Sequence, residues 1–128
     1  MSENIYKTEI KFSNRVLTAR ERIKLKDVSD AIKLDNILEQ ENEIIIDVDL
    51  YAELLVKNSK SEKGEYPLYI IVDTDGEKYY TGSNPFWSSF NDIVDELADE
   101  GEELKGIKVY KKDSKNYAGK KFITCGLE

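Results

Sequence analysis

Histidine is absent from the 128 residues, which removes the ordinary general base near neutral pH and the commonest zinc ligand together. One cysteine, Cys125, allows no internal disulfide and, without histidine, no structural zinc site is expected. A reducing cytoplasm is the natural setting. No apolar run approaches the ~20 residues needed to span a bilayer, so no membrane partner is expected. Met1-Ser2-Glu3-Asn4 has no basic region leading into an apolar stretch, so no secretory leader is expected either. There is no Gly-rich phosphate cradle, nucleophile elbow or pair of catalytic carboxylates. The expectation is a single non-enzymatic domain with no cofactor and no metal.

What the chain does have is charge, unevenly placed. The net charge is −7. Residues 1–26 carry seven Lys/Arg against three Glu, and residues 107–121 carry six Lys against one Asp. Between them, residues 27–106 hold 21 acids and six lysines. Two basic blocks bracket an acidic middle. That distribution is either an ordinary solvated surface or a polarised molecule with one positive face.

The apolar pattern is dominated by Ile44 to Asn58. Ile44, Ile46, Val48, Leu50, Ala52, Leu54 and Val56 alternate with Ile45, Asp47, Asp49, Tyr51, Glu53, Leu55 and Lys57. This period of two predicts a strand with one buried face, more than twice the usual 5–6 residues and long enough to coil. Asp47, Asp49 and Glu53 then share the other face, read as a solvated surface in preference to a cation site.

Elsewhere, Asn4 to Phe12 alternates as a strand and Ser13-Asn14 turns. Glu21 to Lys26 reads as a strand with a basic edge, while Thr18 to Leu25 is also compatible with a short helix. Asp27 to Asp30 reads as a turn and Ala31 to Leu38 as a further strand. Tyr66 to Asp73 and Glu77 to Thr81 read as strands joined by a two-residue turn at Asp75-Gly76. Asp73 to Glu77 lacks the later ligands of a calcium loop. Ser83 or Asn84 as N-cap, Pro85 at the first position and Gly101 as the left-handed stop frame a helix with Phe86, Phe90, Ile93, Val94 and Leu97 at helical spacing. Ile107 to Lys112 and Lys120 to Leu127 are the closing strands. Trp87 and Cys125 read as packing residues.

From residue 44 the order is three strands, helix, two strands. That is the element order of the OB-fold, a five-stranded Greek-key barrel with one helix between its third and fourth strands. The fold class expected is mainly β: such a barrel over 44–128, with residues 1–43 as an N-terminal strand extension or arm. An open α+β sandwich is the rival.

In that fold, ligands meet the second and third strands and the loops Lys57 to Tyr66 and Lys111 to Lys120. Lysines neutralise phosphates, and an aromatic face stacks on any base. The outward face Lys108, Tyr110, Lys112 alternates these functions, and the loop adds Lys115, Tyr117 and Lys120. Tyr69, Lys78 and Tyr80 extend the track, Lys57 supplies the other loop, and Arg20, Arg22 and Lys24 supply the first basic block. Each tyrosine has an ordinary alternative as half-buried strand packing.

The stretches 82–90 (Gly-Ser-Asn-Pro-Phe-Trp-Ser-Ser-Phe) and 115–125 (Lys-Asn-Tyr-Ala-Gly-Lys-Lys-Phe-Ile-Thr-Cys), with the basic segment Leu17 to Asp27, resemble phage-encoded single-stranded DNA-binding proteins of Gram-positive bacteria, of the OB class. These stretches cover about a third of the chain. The resemblance implies sequence-tolerant binding of single-stranded DNA in phage replication or recombination, a homodimer, and contacts with replication or recombination proteins. No Gly/Gln-rich tail with an acidic, aromatic tip follows the last strand, so recruitment through a tail is not expected. The alternative is a small phage protein that occupies a host or defence protein through the acidic helix face Asp92, Asp95, Glu96, Asp99 and Glu100.

Overall fold

A computed structural model describes residues 6–58, 64–114 and 120–128. The long alternating stretch is one strand of 16 residues, β3 (Glu43–Asn58), and the other strands attach to it. One edge pairs antiparallel with β4 (Glu65–Asp73), which pairs with β5 (Lys78–Thr81). The other edge is shared. Glu43 to Asp47 pairs with β6 (Gly106–Asp113), and Ala52 to Asn58 pairs with β1 (Tyr6–Ser13). β6 continues into β7 (Lys121–Leu127), and the two-residue β2 (Ile32–Lys33) lies parallel to β5.

The sheet curls around β3 into a half-barrel, as the twist of so long a strand requires. Among the described residues no ladder joins β5 to β7. That side is spanned by the start of helix α3 (Asn84–Asp99): Ser83 Oγ donates to the Ile123 carbonyl at 3.4 Å, and the Ser89 and Thr124 hydroxyls bond at 2.8 Å.

The single buried face expected of β3 is in fact two half-faces. Val48 pairs with Asp73 and Leu50 with Val72, so Asp49 is an extra residue, a β-bulge. An inserted residue turns every later side chain to the opposite face. Before the bulge, Ile44, Ile46 and Val48 face the core under α3, with Ile107, Val109, Ile123, Cys125, Phe86 and Phe90. After it, Leu50, Ala52 and Leu54 face a second core with Leu17, Leu25 and Ile70. Tyr51 now points into the first core, its ring edge-on to Phe90 at 4.8 Å. Asp47 and Glu53 therefore lie on opposite faces, and the Trp87 indole donates to Glu53 at 3.2 Å. Asn14 ties the bulge down: its amide donates to the Asp49 carbonyl at 3.3 Å and its carbonyl accepts from Tyr51 N at 3.1 Å.

Two N-terminal segments differ from the strands expected. Residues 21–26 belong to helix α1 (Ala19–Lys26), the helical alternative. Thr18 and Glu21 form a capping box, Glu21 N donating to Thr18 Oγ1 at 3.2 Å and Thr18 N to the Glu21 carboxylate at 3.0 Å. The Thr18-x-x-Glu21 spacing is the sequence signal for it. The second segment, Ala31 to Leu38, keeps only β2 as strand and becomes helix α2 (Leu34–Gln40), burying Leu34 and Leu38 at 3.6-residue spacing.

The α3 boundaries follow their capping residues. Ser83 accepts from Phe86 N, while at the far end Gly101 takes φ +71° and Glu102 N reaches back to the Leu97 carbonyl at 2.8 Å. The β4–β5 turn has three residues, not two. Gly76 N donates to the Asp73 carbonyl at 3.0 Å and Gly76 takes φ +89°, a type I turn closed by a left-handed glycine. The Asp73 carboxylate accepts from Asp75 N and Glu77 N, and so serves the turn.

Candidate nucleic-acid interface

β6 pairs Val109 with Ile44 and Ile107 with Ile46, so these four close the first core. Lys108, Tyr110 and Lys112 consequently stand on the outer face, at steps of about 7 Å, comparable with one nucleotide of an extended single strand. The β7 register adds a residue that sequence reading left out of the site. Phe122 pairs with Lys112 and so joins the outer face, where it belongs to neither core. Its signal was the hairpin register, which a sequence does not print. Tyr110 pairs with Thr124 and its ring lies over Gly126, where an added Cβ would stand 4.0 Å from the ring edge. Glycine there leaves the ring a flat seat. Ile45, itself exposed, flanks Lys108 from β3; Glu43 stands opposite Tyr110, and Asp47 and Glu128 bring their carboxylates to Gly106 at the other end of the same face.

The end of this hairpin is basic. Lys111, Lys112, Lys120 and Lys121 surround Asp113, and Ser114 N closes onto the Lys120 carbonyl at 2.9 Å. Among the described residues none of these lysines, nor Lys108, is held in an ion pair. Lys115 and Tyr117 lie outside the described residues.

The remaining expected site residues are placed elsewhere. Tyr69 is 6% exposed, stacked on Trp87 at 4.7 Å with its hydroxyl donating to Asn84 at 2.7 Å, so its ring is core and not a platform. Burial, with Glu53 nearby, raises its phenol pKa. Trp87 continues the stack to Phe90 at 5.4 Å. Tyr80 faces the second core. Lys78 is drawn into the fold: its ammonium donates to the Lys24 and Asp27 carbonyls at the end of α1 and pairs with Asp30 at 3.5 Å. Lys57 pairs with Glu9 at 3.4 Å and holds that carboxyl below its ordinary pKa. Arg22 donates to the Leu17 carbonyl at 2.8 Å, while Arg20 and Lys24 are exposed on α1.

The expected track fails because Tyr69 faces the core under α3 while Lys78 and Tyr80 face the other way, where another part of the chain covers them. Leu17, Leu25 and Val28 pack on Leu50, Ile70 and Val72, so α1 occupies the face assigned to ligand. Between α1 and the sheet is a cleft of about 470 Å³. Its cations Arg15, Lys24 and Lys78 meet as many acids, Glu21, Asp27 and Asp30, so it offers no net charge to a phosphate. The two basic blocks thus sit on different cores, and among the described residues no hydrogen bond or ion pair joins them. One coherent group remains: Lys108, Tyr110, Lys112 and Phe122, with Lys120 at the hairpin end.

Among the described residues no cluster of metal-ligating side chains is present, and no helix is long and apolar enough to cross a membrane. No protein-family model, curated protein or solved structure matches the chain.

Proposed function

We propose that this protein binds single-stranded DNA, tolerant of sequence, along the outer face of the β6–β7 hairpin. The observation that carries the reading is the alternation of lysine and aromatic side chains on that face, none of it, among the described residues, consumed by core packing or ion pairs. The lysines compensate backbone phosphates, and Tyr110 and Phe122 stack on successive bases. The pairings of β3, β4, β5, β6 and β7 support an OB-type barrel as the scaffold, open between its third and fifth strands. The resemblance in residues 82–90 and 115–125 supports a role in phage DNA replication or recombination.

Fluorescence anisotropy with labelled oligo-dT tests it. Tyr110→Ala and Phe122→Ala are expected each to weaken binding roughly 5- to 150-fold, the equivalent of one lost stack. Wild-type affinity in both variants would move the site off this hairpin.

One observation favours a second reading. Asp92, Asp95, Glu96 and Asp99 form one exposed stripe of α3 that continues to its C-cap Glu100, and among the described residues none is ion-paired. A continuous row of carboxylates suits a basic protein partner that normally holds nucleic acid. Under this reading oligo-dT does not bind, and charge reversal along the stripe abolishes capture of that partner.

A further inference from the structure

Two side chains on the outer face of the β3–β6 ladder are explained by neither core. Ile45 is a large aliphatic residue left 46% exposed on an otherwise polar face, and it packs in neither core. Glu43 is exposed and, among the described residues, in no ion pair, although Lys108 and Lys112 flank the residue it faces.

The register gathers these groups at one position. Glu43 pairs with Tyr110 and Ile45 with Lys108, while Ile44 and Ile46 turn inward. Directly opposed side chains on one face start about 5 Å apart. The Tyr110 ring leans the other way, toward β7, where its edge stands 4.0 Å from the place a Cβ on Gly126 would take. A base resting on that ring, with its phosphates following the lysines along β6, turns its polar edge to one of the neighbouring strands. On β7 it meets Thr124, whose hydroxyl is already bonded to that of Ser89 at 2.8 Å. On β3 it meets the Glu43 carboxylate, a group that only accepts hydrogen bonds. Among the described residues, Glu43 is the polar group left to read a base at Tyr110.

We infer that Glu43 selects the base stacked on Tyr110, favouring one with an exocyclic amino group. The inference rests on the DNA-binding reading of this face and adds a preference within a sequence-tolerant track. Cytosine offers its N4 amino group as a donor where thymine carries the O4 acceptor. Thymine's one donor, N3–H, lies between two carbonyl oxygens that repel a carboxylate. The two pyrimidines are alike in size, so comparing them separates hydrogen bonding from stacking.

Competition anisotropy on the full chain, with oligo-dC and oligo-dT of equal length at low salt and neutral pH, is the test. Wild type is expected to bind oligo-dC about tenfold more tightly. Glu43→Ala is expected to bring the two affinities together, since it removes both the amino contact and the repulsion of thymine O4. Glu43→Gln keeps the shape but can donate as well as accept, so it too is expected to erase the preference. Glu43 is exposed at the first position of β3, so circular dichroism should not change in either variant. Equal wild-type affinities, a preference for thymine, or a cytosine preference that survives both substitutions overturns the inference and leaves the DNA-binding reading standing. Binding of neither oligonucleotide overturns both.

Discussion

Lys78 and Lys108 are the same residue type on neighbouring limbs of one sheet, with opposite duties. Lys78 has 13% of its side chain exposed and donates to two carbonyls where α1 ends, which is where a cation best complements the helix dipole. Lys108 stands on an outer face and is in no ion pair among the described residues. Lys78→Met is therefore expected to cost about 2 kcal/mol, the scale for hydrogen bonds from a charged donor, and to leave oligo-dT affinity unchanged. Urea denaturation of the variant measures the first, and an anisotropy titration of the folded variant the second. Unaltered stability would contradict the role given to Lys78. The tyrosines divide in the same way: Tyr69 is buried between Trp87 and Asn84, while Tyr110 is half-buried beside a glycine and belongs to neither core. Sequence alternation alone ranked the two alike, because period two states that neighbours point apart and not which direction is solvent.

At the scale of elements, the bulge at Asp49 shapes the architecture more than any other local feature. It lets one strand serve two cores, and it needs Asn14 to satisfy the backbone groups it frees. Asn14→Ala should destabilise the protein by about 1 kcal/mol, measured by thermal melting against wild type, and protection of the Tyr51 amide from hydrogen exchange should fall. Full protection of that amide would contradict the role given to Asn14. Long, strongly patterned elements were legible in the sequence: β3, β4, β6, β7 and α3, the last with its N-cap and glycine stop. The bulge was not, since Ile44 to Val56 alternates without interruption and an extra residue leaves no compositional trace. α1 was legible only through Thr18 and Glu21, in a segment whose alternating Ile23 and Leu25 also suit a strand. Of the site, the β6 face could be read directly. The loss of the β4–β5 face could not, because covering it depends on where Leu17 and Leu25 land after folding.

For the whole molecule, burial of neutral acids sets the alkaline limit. Burial raises the phenols of Tyr51, Tyr69 and Tyr79 above their ordinary value and pushes the Cys125 thiol up to about 12. The unfolded chain loses these protons first, so above the unfolded values it binds fewer protons than the folded chain and stability falls as pH rises. Urea midpoints are expected to drop progressively from about pH 9 upward. Cys125 should resist thiol reagents at neutral pH until the protein is unfolded. A flat midpoint and a reactive native thiol would contradict this packing.

The proposed function rests at the same scale on polarity: a basic hairpin on one core, a self-covered β5 face on the other, and an acidic stripe along α3. Under the proposed function the hairpin lysines meet phosphates. The most direct test is the salt dependence of oligo-dT binding by wild type and by Lys108→Gln with Lys112→Gln. Each phosphate contact on a single strand contributes about 0.7 to the slope of log affinity against log salt. The double variant is therefore predicted to bind more weakly, with a slope shallower by about 1.4. An identical slope in both proteins, or no binding by wild type at low salt, would contradict phosphate contact by these lysines.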